Sequence, residues 1–74
     1  MSIFSRTIIN PTPEEVMEAF GWKERAEAAR LTADIYDYEG RIQVSDITHR
    51  EVYLSKSFET GEATLTSHTY TQPL

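Results

Sequence analysis

The chain contains no cysteine and has only three glycines and three prolines among its 74 residues. Without cysteine it has no disulfide, no thiolate ligand for zinc and no cysteine nucleophile, which is compatible with a reducing compartment. It also lacks a hydrophobic run of the length that a signal peptide or a membrane span requires. We therefore expect a cytoplasmic protein with no membrane partner.

Positive charge is scarce as well. The chain has seven Lys and Arg and twelve Asp and Glu, so the formal net charge is -5. Nucleic-acid binding draws much of its free energy from Lys and Arg that displace counterions, and this chain has no basic run. The composition makes nucleic acid an unfavourable partner and favours a protein with a basic surface.

The length predicts one small domain over residues 1–74. A domain of this size buries only roughly 60% of the surface that its unfolded chain exposes, so its core is small. With so few apolar residues left to line a pocket, a sizeable substrate cavity is not expected.

The first part of the chain predicts a short strand from Ile3 to Ile9 and then a helix from about 13 to 20. Thr12 and Glu15 have the spacing of a capping box, and Pro13 suits the first helical position, where no hydrogen bond is lost. Gly21 is suited to the left-handed conformation that ends a helix.

A second helix is predicted over about 22–38, because apolar and charged residues recur there at helical spacing. Gly40 would end it. Acids near its C-terminal end oppose this prediction, since the helix dipole is negative there. In the alternative, the helix ends near Arg30 and a hairpin turns at Glu39-Gly40, pairing residues 35–36 with residues 43–44.

Three stretches that alternate polar and apolar residues follow, over about 41–47, 51–58 and 62–70, and they predict a three-stranded antiparallel β-meander. A turn at 48–50 would place Val44 opposite Leu54, and a turn at Thr60-Gly61 would place Phe58 opposite Ala63. The predicted sheet buries Ile42, Val44, Val52, Leu54, Phe58, Ala63 and Leu65 against the helices.

The predicted fold class is therefore α+β, with a short N-terminal strand, an αα-hairpin and the meander. The threonine-rich last strand, residues 62–70, is expected at a sheet edge, where a second copy of the chain would find unpaired backbone groups. This arrangement predicts a homo-oligomer through a sheet edge.

Signatures of catalysis and of cofactor binding are lacking. No motif places a serine against a base, so the sequence predicts a protein that is not an enzyme. Asp46, His49 and Glu51 do not match the ligand spacing of a metal loop, and His68 is distant in sequence. We expect no metal and no cofactor.

The strongest candidate for a binding surface is an acidic and aromatic run near the predicted end of the second helix. Tyrosine is common among the residues that dominate binding energy, and neighbouring acids would steer a basic partner toward it. This surface predicts a non-catalytic adaptor or inhibitor that binds a basic protein, and small, acidic, cysteine-free chains of this sort include phage-encoded inhibitors. The predicted partner-binding residues are Asp34, Tyr36, Asp37, Tyr38 and Glu39.

An alternative hypothesis treats the two helices as a helix-turn-helix or winged-helix-like DNA-binding regulator. Gly21 would lie in the turn, and Lys23, Arg25 and Arg30 would contact the DNA. The acids on the same polar face, Glu27 and Asp34, argue against this hypothesis because they would repel phosphate.

Overall fold

The computed structural model describes residues 2–34 and 36–72. Over these residues the elements are β1 (Ser2–Ile9), α1 (Pro13–Phe20), α2 (Arg25–Asp34), β2 (Asp37–Ser45), β3 (Thr48–Lys56) and β4 (Ala63–Thr71). The predicted α+β class, with an N-terminal strand, two helices and an antiparallel meander, is confirmed. Residue 35, which both the predicted helix 22–38 and the alternative hairpin include, lies outside the described ranges. No helix in the described ranges has the length and apolar character needed to cross a membrane.

The strands of the described residues form one four-stranded sheet in the order β1-β4-β3-β2, and neighbouring strands are antiparallel. The prediction that the last strand lies at an edge is wrong, because β4 pairs with β3 on one side and with β1 on the other. The two edges of the sheet are β1 and β2. Self-association through β4 is thereby excluded, since its backbone groups are already paired within the chain.

The start of α1 agrees closely with the local signals in the sequence. The Thr12 hydroxyl accepts from the Glu15 backbone N–H, and the Glu15 carboxylate accepts from the Thr12 backbone N–H, which completes the capping box. Gly21 has a φ of 73° and closes the helix, its N–H donating to the Met17 carbonyl.

The second helix is shorter than the predicted 22–38, and it ends between the two predicted limits, Arg30 and Tyr38. It begins at Arg25 rather than at Trp22 and ends at Asp34, and the chain continues as β2 from Asp37. Gly40 lies inside that strand, so it neither ends a helix nor turns a hairpin. Because Asp37 and Glu39 lie on a strand, the unfavourable interaction of these acids with the helix dipole does not arise.

The predicted turns of the meander are also wrong. Asp46 and Ile47 form the turn between β2 and β3, and Val44 is the extra residue of a β-bulge just before it. Lys56, not Phe58, pairs with Ala63, because β3 ends earlier than predicted. Val44 is consequently 50% exposed and Phe58 80% exposed, although both were expected in the core.

The core lies between the two helices and one side of the sheet. Four of the predicted core residues, Val52, Leu54, Ala63 and Leu65, are buried, and Ile42 packs against them while partly exposed. The helices supply the opposing side chains, which are Val16, Phe20, Ala28 and Leu31. The described part of the chain contains no buried polar or charged side chain in this core.

Arg50 links the sheet to the end of the first helix. Its side chain projects from β3 toward the helices, where one guanidinium nitrogen donates to the backbone carbonyls of Glu18 and Ala19, each at 3.2 Å. These carbonyls belong to the last turn of α1, where carbonyl groups have no partner within the helix. The guanidinium thus supplies hydrogen bonds to two carbonyl groups at the C-terminal end of α1 and holds that end against the sheet.

Candidate functional site

One side of the sheet carries no helix, and we call it the open face. Side chains alternate along a strand, so the residues beside the buried Val52 and Leu54 of β3 point to this opposite side. The strand register then assigns the remaining members of the face. Its members on the three meander strands are Asp37, Glu39, Arg41, Gln43, His49, Glu51, Tyr53, Ser55, Thr64, Thr66, His68 and Tyr70.

A chain of side-chain contacts crosses the open face. The Tyr53 hydroxyl donates to Oε2 of Glu51 at 2.9 Å, and Nη2 of Arg41 lies 3.6 Å from Oε1 of the same carboxylate. The Tyr53 ring also meets the ring of His68 edge-on, with 6.1 Å between centroids. Ser5 of β1 completes the chain, its hydroxyl oxygen lying 2.8 Å from Nδ1 of His68. The contacts therefore join all four strands.

A second aromatic pair lies beside this chain. The ring of His49 stacks on the ring of Tyr70 with 5.0 Å between centroids, and Nε2 of His49 lies 3.4 Å from Nη2 of Arg41. Cross-strand aromatic pairs of this kind hold their rings in place at little further entropic cost. The open face therefore presents aromatic rings that contact one another across neighbouring strands.

Tyr53 lies in a locally negative environment. It is directly opposite Glu39 in the ladder between β2 and β3. The pKa of the Tyr53 phenol is raised above its ordinary value of 10.0, first because its hydroxyl donates to Glu51, then because the Glu51 charge opposes ionisation, with a smaller contribution from the charge of Glu39. Two carboxylates, of which Glu51 also pairs with Arg41, thus lie beside an aromatic ring at the centre of this face.

Removing the Glu51 charge should bring the pKa of Tyr53 down toward its ordinary value. We expect Glu51→Gln to lower it clearly and Glu39→Gln to lower it less, since Glu39 acts through its charge alone. Because the folded state holds this proton more tightly than the unfolded chain, the resulting stabilisation is complete below the unfolded pKa and is lost as the pH rises through the folded value. NMR titration of the Tyr53 ring signals measures the shift, and an unchanged pKa in Glu51→Gln would contradict the assigned cause.

The predicted partner-binding residues are not brought together on one surface. Asp37 and Glu39 lie on the open face, whereas Tyr38 projects to the helix side of β2 and contacts the rings of Phe20 and Trp22. Tyr36 stacks on Phe58 with 3.9 Å between ring centroids. Asp37 and Glu39 are therefore separated from Tyr38 by the thickness of the sheet.

The remaining predicted residues lie on or beside α2. Asp34 is its last residue, and Lys23 precedes its start; both are exposed. Arg25 pairs with Glu14 at 2.6 Å, and Arg30 pairs with Glu27 at 3.0 Å. Two of the cations assigned to DNA contact in the alternative hypothesis are thus engaged with acids of the helices.

The histidines do not assemble a metal site in the part of the chain that the structure describes, where no three His, Asp or Glu side chains are placed to hold an ion. The contact between Ser5 and His68 brings a hydroxyl beside an imidazole, as hydrolytic sites do. Both oxygens of the nearby Glu51 are, however, directed to Tyr53 and Arg41. A carboxylate that orients the imidazole, as in a catalytic triad, is therefore not provided by Glu51.

The sequence did not single out Tyr53, Tyr70 or Arg41, and it offered Glu51 only as a metal ligand. The alternation of polar and apolar residues did predict that the polar side chains of each meander strand share one face. What the sequence could not supply was the register of β2 on β3, which places Glu39 against Tyr53, and the position of β1 beside β4, which places Ser5 against His68.

Comparisons of the chain with protein-family models, with curated proteins and with solved structures find no match. The geometry and charge of the open face are the features of the molecule that bear on its function.

Proposed function

We propose that this protein is a small, non-catalytic, cytoplasmic protein-binding module, of adaptor or inhibitor type, which docks a basic protein surface on its open face. The observation that supports this proposal best is the position of Tyr53, which lies between Glu39 and Glu51 on an exposed sheet surface. The acidic and aromatic character expected of the binding surface is thus retained, with Tyr53 in place of Tyr36 and Tyr38.

The charge of the open face fits a basic partner. Asp37 and Glu39 are exposed on β2, and Glu51 lies beside them on β3, whereas Arg41 is the cation among these neighbours. The protein as a whole carries a net charge of -5, which raises the rate of encounter with a positively charged partner. Complementary charge would orient the partner, and burial of the tyrosine ring would supply much of the affinity.

The same charges disfavour nucleic acid on this face. Aromatic side chains on the central strands of an open sheet form a platform on which bases stack in several nucleic-acid-binding folds. Such platforms are accompanied by Lys and Arg that neutralise phosphates. Here the strand next to Tyr53 contributes Asp37 and Glu39, so a phosphate backbone would be repelled.

The test is affinity capture with two matched double variants. Glu39→Lys with Tyr53→Ala alters the open face, while Glu24→Lys with Tyr36→Ala makes the same two kinds of change elsewhere. Tyr53 and Tyr36 are comparably exposed, at 38% and 41%, so the two variants are expected to fold equally well. Each bait is checked by circular dichroism and then used on an extract of the native cells.

We expect the wild type and the Glu24→Lys/Tyr36→Ala variant to capture the same basic protein, and the open-face variant to bind it at least about tenfold more weakly in a titration with that purified protein. Equal binding by both variants would place the interface elsewhere and overturn the proposal. Recovery of nucleic acid, removed by raising the salt concentration, would favour the DNA-binding alternative instead.

A further inference from the structure

The two edges of the sheet differ in how well they are protected against pairing with another strand. β2 carries the charges of Asp37, Glu39 and Arg41 and ends in the bulge at Val44. Charges and bulges of this kind discourage a foreign strand from adding to an edge. β1 has no bulge, and its single charge is that of Arg6: it is eight residues long, contains no acid and no proline, and pairs with β4 without a register shift.

Three of the eight large apolar side chains that are exposed in the described chain lie on β1, against two, Tyr38 and Val44, on β2. Ile3, Phe4 and Ile9 are 61%, 65% and 53% exposed, respectively. A long edge strand without a bulge and with exposed apolar side chains is a site where another strand is expected to pair. The order of the residues in β1 indicates which strand this would be.

The sequence of β1 is nearly symmetric about Arg6. Going outward from Arg6, Ser5 matches Thr7, Phe4 matches Ile8, and Ile3 matches Ile9. An antiparallel pair of identical strands related by a two-fold axis through Arg6 therefore places like residues opposite each other at every position. In this register odd-numbered residues pair with odd-numbered ones, such as 3 with 9, and even-numbered residues with even-numbered ones. Because directly opposite side chains lie on the same side of a sheet, the helices of both copies lie on the same side of the joined sheet.

The backbone groups of β1 that point away from β4 belong to the residues that this register would hydrogen-bond to the second copy. The Asn10 N–H donates to the Ala63 carbonyl, which identifies Asn10 and Ala63 as a hydrogen-bonded pair of the ladder. Such pairs alternate along antiparallel strands, so the backbone groups of Ile3, Ser5, Thr7 and Ile9 point away from β4. These are the residues that would exchange hydrogen bonds with the second copy, as Ile3–Ile9 and Ser5–Thr7 pairs.

We propose that β1 is a homodimerisation strand, which pairs antiparallel with β1 of a second copy about an axis at Arg6 and joins two four-stranded sheets into one of eight. The cost of this arrangement is the approach of two Arg6 side chains on the helix side. Glu15 and Glu18 line the same groove as Arg6, so carboxylates are present to balance the two guanidinium groups.

The dimer would leave the proposed partner-binding surface free. Asp37 and Glu39 belong to β2, which becomes the outer edge at each end of the eight-stranded sheet. Two open faces would then lie on the same side of one sheet, so that a partner with repeated basic sites would bind with increased avidity. The dimer itself does not depend on the proposed function.

The register is tested by two variants that replace the same two residues. In Ile3→Lys with Ile9→Glu, each lysine would face a glutamate of the other copy, whereas in Ile3→Lys with Ile9→Lys it would face a lysine. Within one chain the two positions are about 20 Å apart along the strand, beyond the screening length at physiological salt, so the variants differ little as monomers. Circular dichroism verifies that both are folded.

Sedimentation equilibrium over roughly 1 to 500 µM is expected to show a wild-type dimer, and dimerisation of the Lys/Glu variant that is at least about tenfold tighter than that of the Lys/Lys variant. The difference should shrink as the salt concentration rises. A wild type that stays monomeric throughout this range would overturn the proposal, as would equal association of the two variants. Growth beyond a dimer would contradict it as well, since it would indicate head-to-tail pairing of edges.

Discussion

Replacement of Phe20 by alanine is expected to lower the free energy of unfolding by about 3 to 5 kcal/mol. Phe20 is the last residue of α1 and is only 5% exposed. Its ring stacks on Trp22 with 4.7 Å between centroids and meets Tyr38 edge-on at 5.4 Å. Truncation therefore leaves a cavity among groups from the first helix, the loop that follows it and β2.

The loss should be large relative to the stability of the whole molecule. Folded proteins have a free energy of unfolding of about 0.05 to 0.15 kcal/mol per residue, which corresponds to roughly 4 to 11 kcal/mol for a chain of this length. The Phe20→Ala protein is consequently expected to lie near the limit of folding. Urea denaturation followed by circular dichroism measures the change, with the slope checked for two-state behaviour.

Phe58→Ala provides the matched control. Phe58 is 80% exposed and touches the rest of the protein through its stacking on Tyr36, so this change should cost about 0.5 to 1.5 kcal/mol. The comparison of the two variants is informative because the alternation of residues 51–58 predicted Phe58 in the core. Equal losses in the two variants would contradict the positions of both rings.

Replacement of Gly40 by valine is expected to destabilise the protein by roughly 1 to 3 kcal/mol, even though valine is a much better strand residue than glycine. A β-carbon at Gly40 would lie 3.1 Å from Cδ1 and Cε1 of Phe20, which is closer than carbon atoms normally approach. The two further methyl groups of valine would add to this clash. Glycine suits this position because an aromatic ring covers the backbone of the strand.

This explanation is tested in a second background. In Phe20→Leu the ring is replaced by a smaller and more flexible side chain, and Gly40→Val should then cost clearly less than it does in the wild type. The coupling between the two positions follows from the four unfolding free energies. If the cost of Gly40→Val is the same in both backgrounds, the clash with Phe20 is not its cause.

Local signals proved accurate where the residues that carry them interact with near neighbours in the chain. The capping box of Thr12 and Glu15, Pro13 at the first helical position and the left-handed Gly21 form as predicted. Each depends on contacts across at most a few residues, so a short window of sequence contains the information. Gly61 likewise has the expected positive φ, of 74°, although the loop around it is longer than a two-residue turn.

Residues 34–40 show why other predictions failed. Their pattern fits both helical spacing and strand alternation, and the helix dipole gave only a weak preference between them. The strand is formed because Tyr38 pairs with Leu54 and Gly40 pairs with Val52, contacts that join distant parts of the chain. Once that pairing exists, the alternation of the strand sends Asp37 and Glu39 to one side and Tyr38 to the other. The candidate surface therefore contains Asp37 and Glu39 but not Tyr38.

The sequence by itself determined the α+β class, the first helix with its caps, and the alternation that buries Val52, Leu54, Ala63 and Leu65. Only the tertiary structure decided that β1 pairs with β4, which moved the last strand from the edge to the interior and exposed β1 instead. It also decided which acids lie beside Tyr53. The physical reason is that alternation records which side of a strand is buried, whereas the lateral order of strands depends on hydrogen bonds between backbone groups, which are nearly the same at every residue.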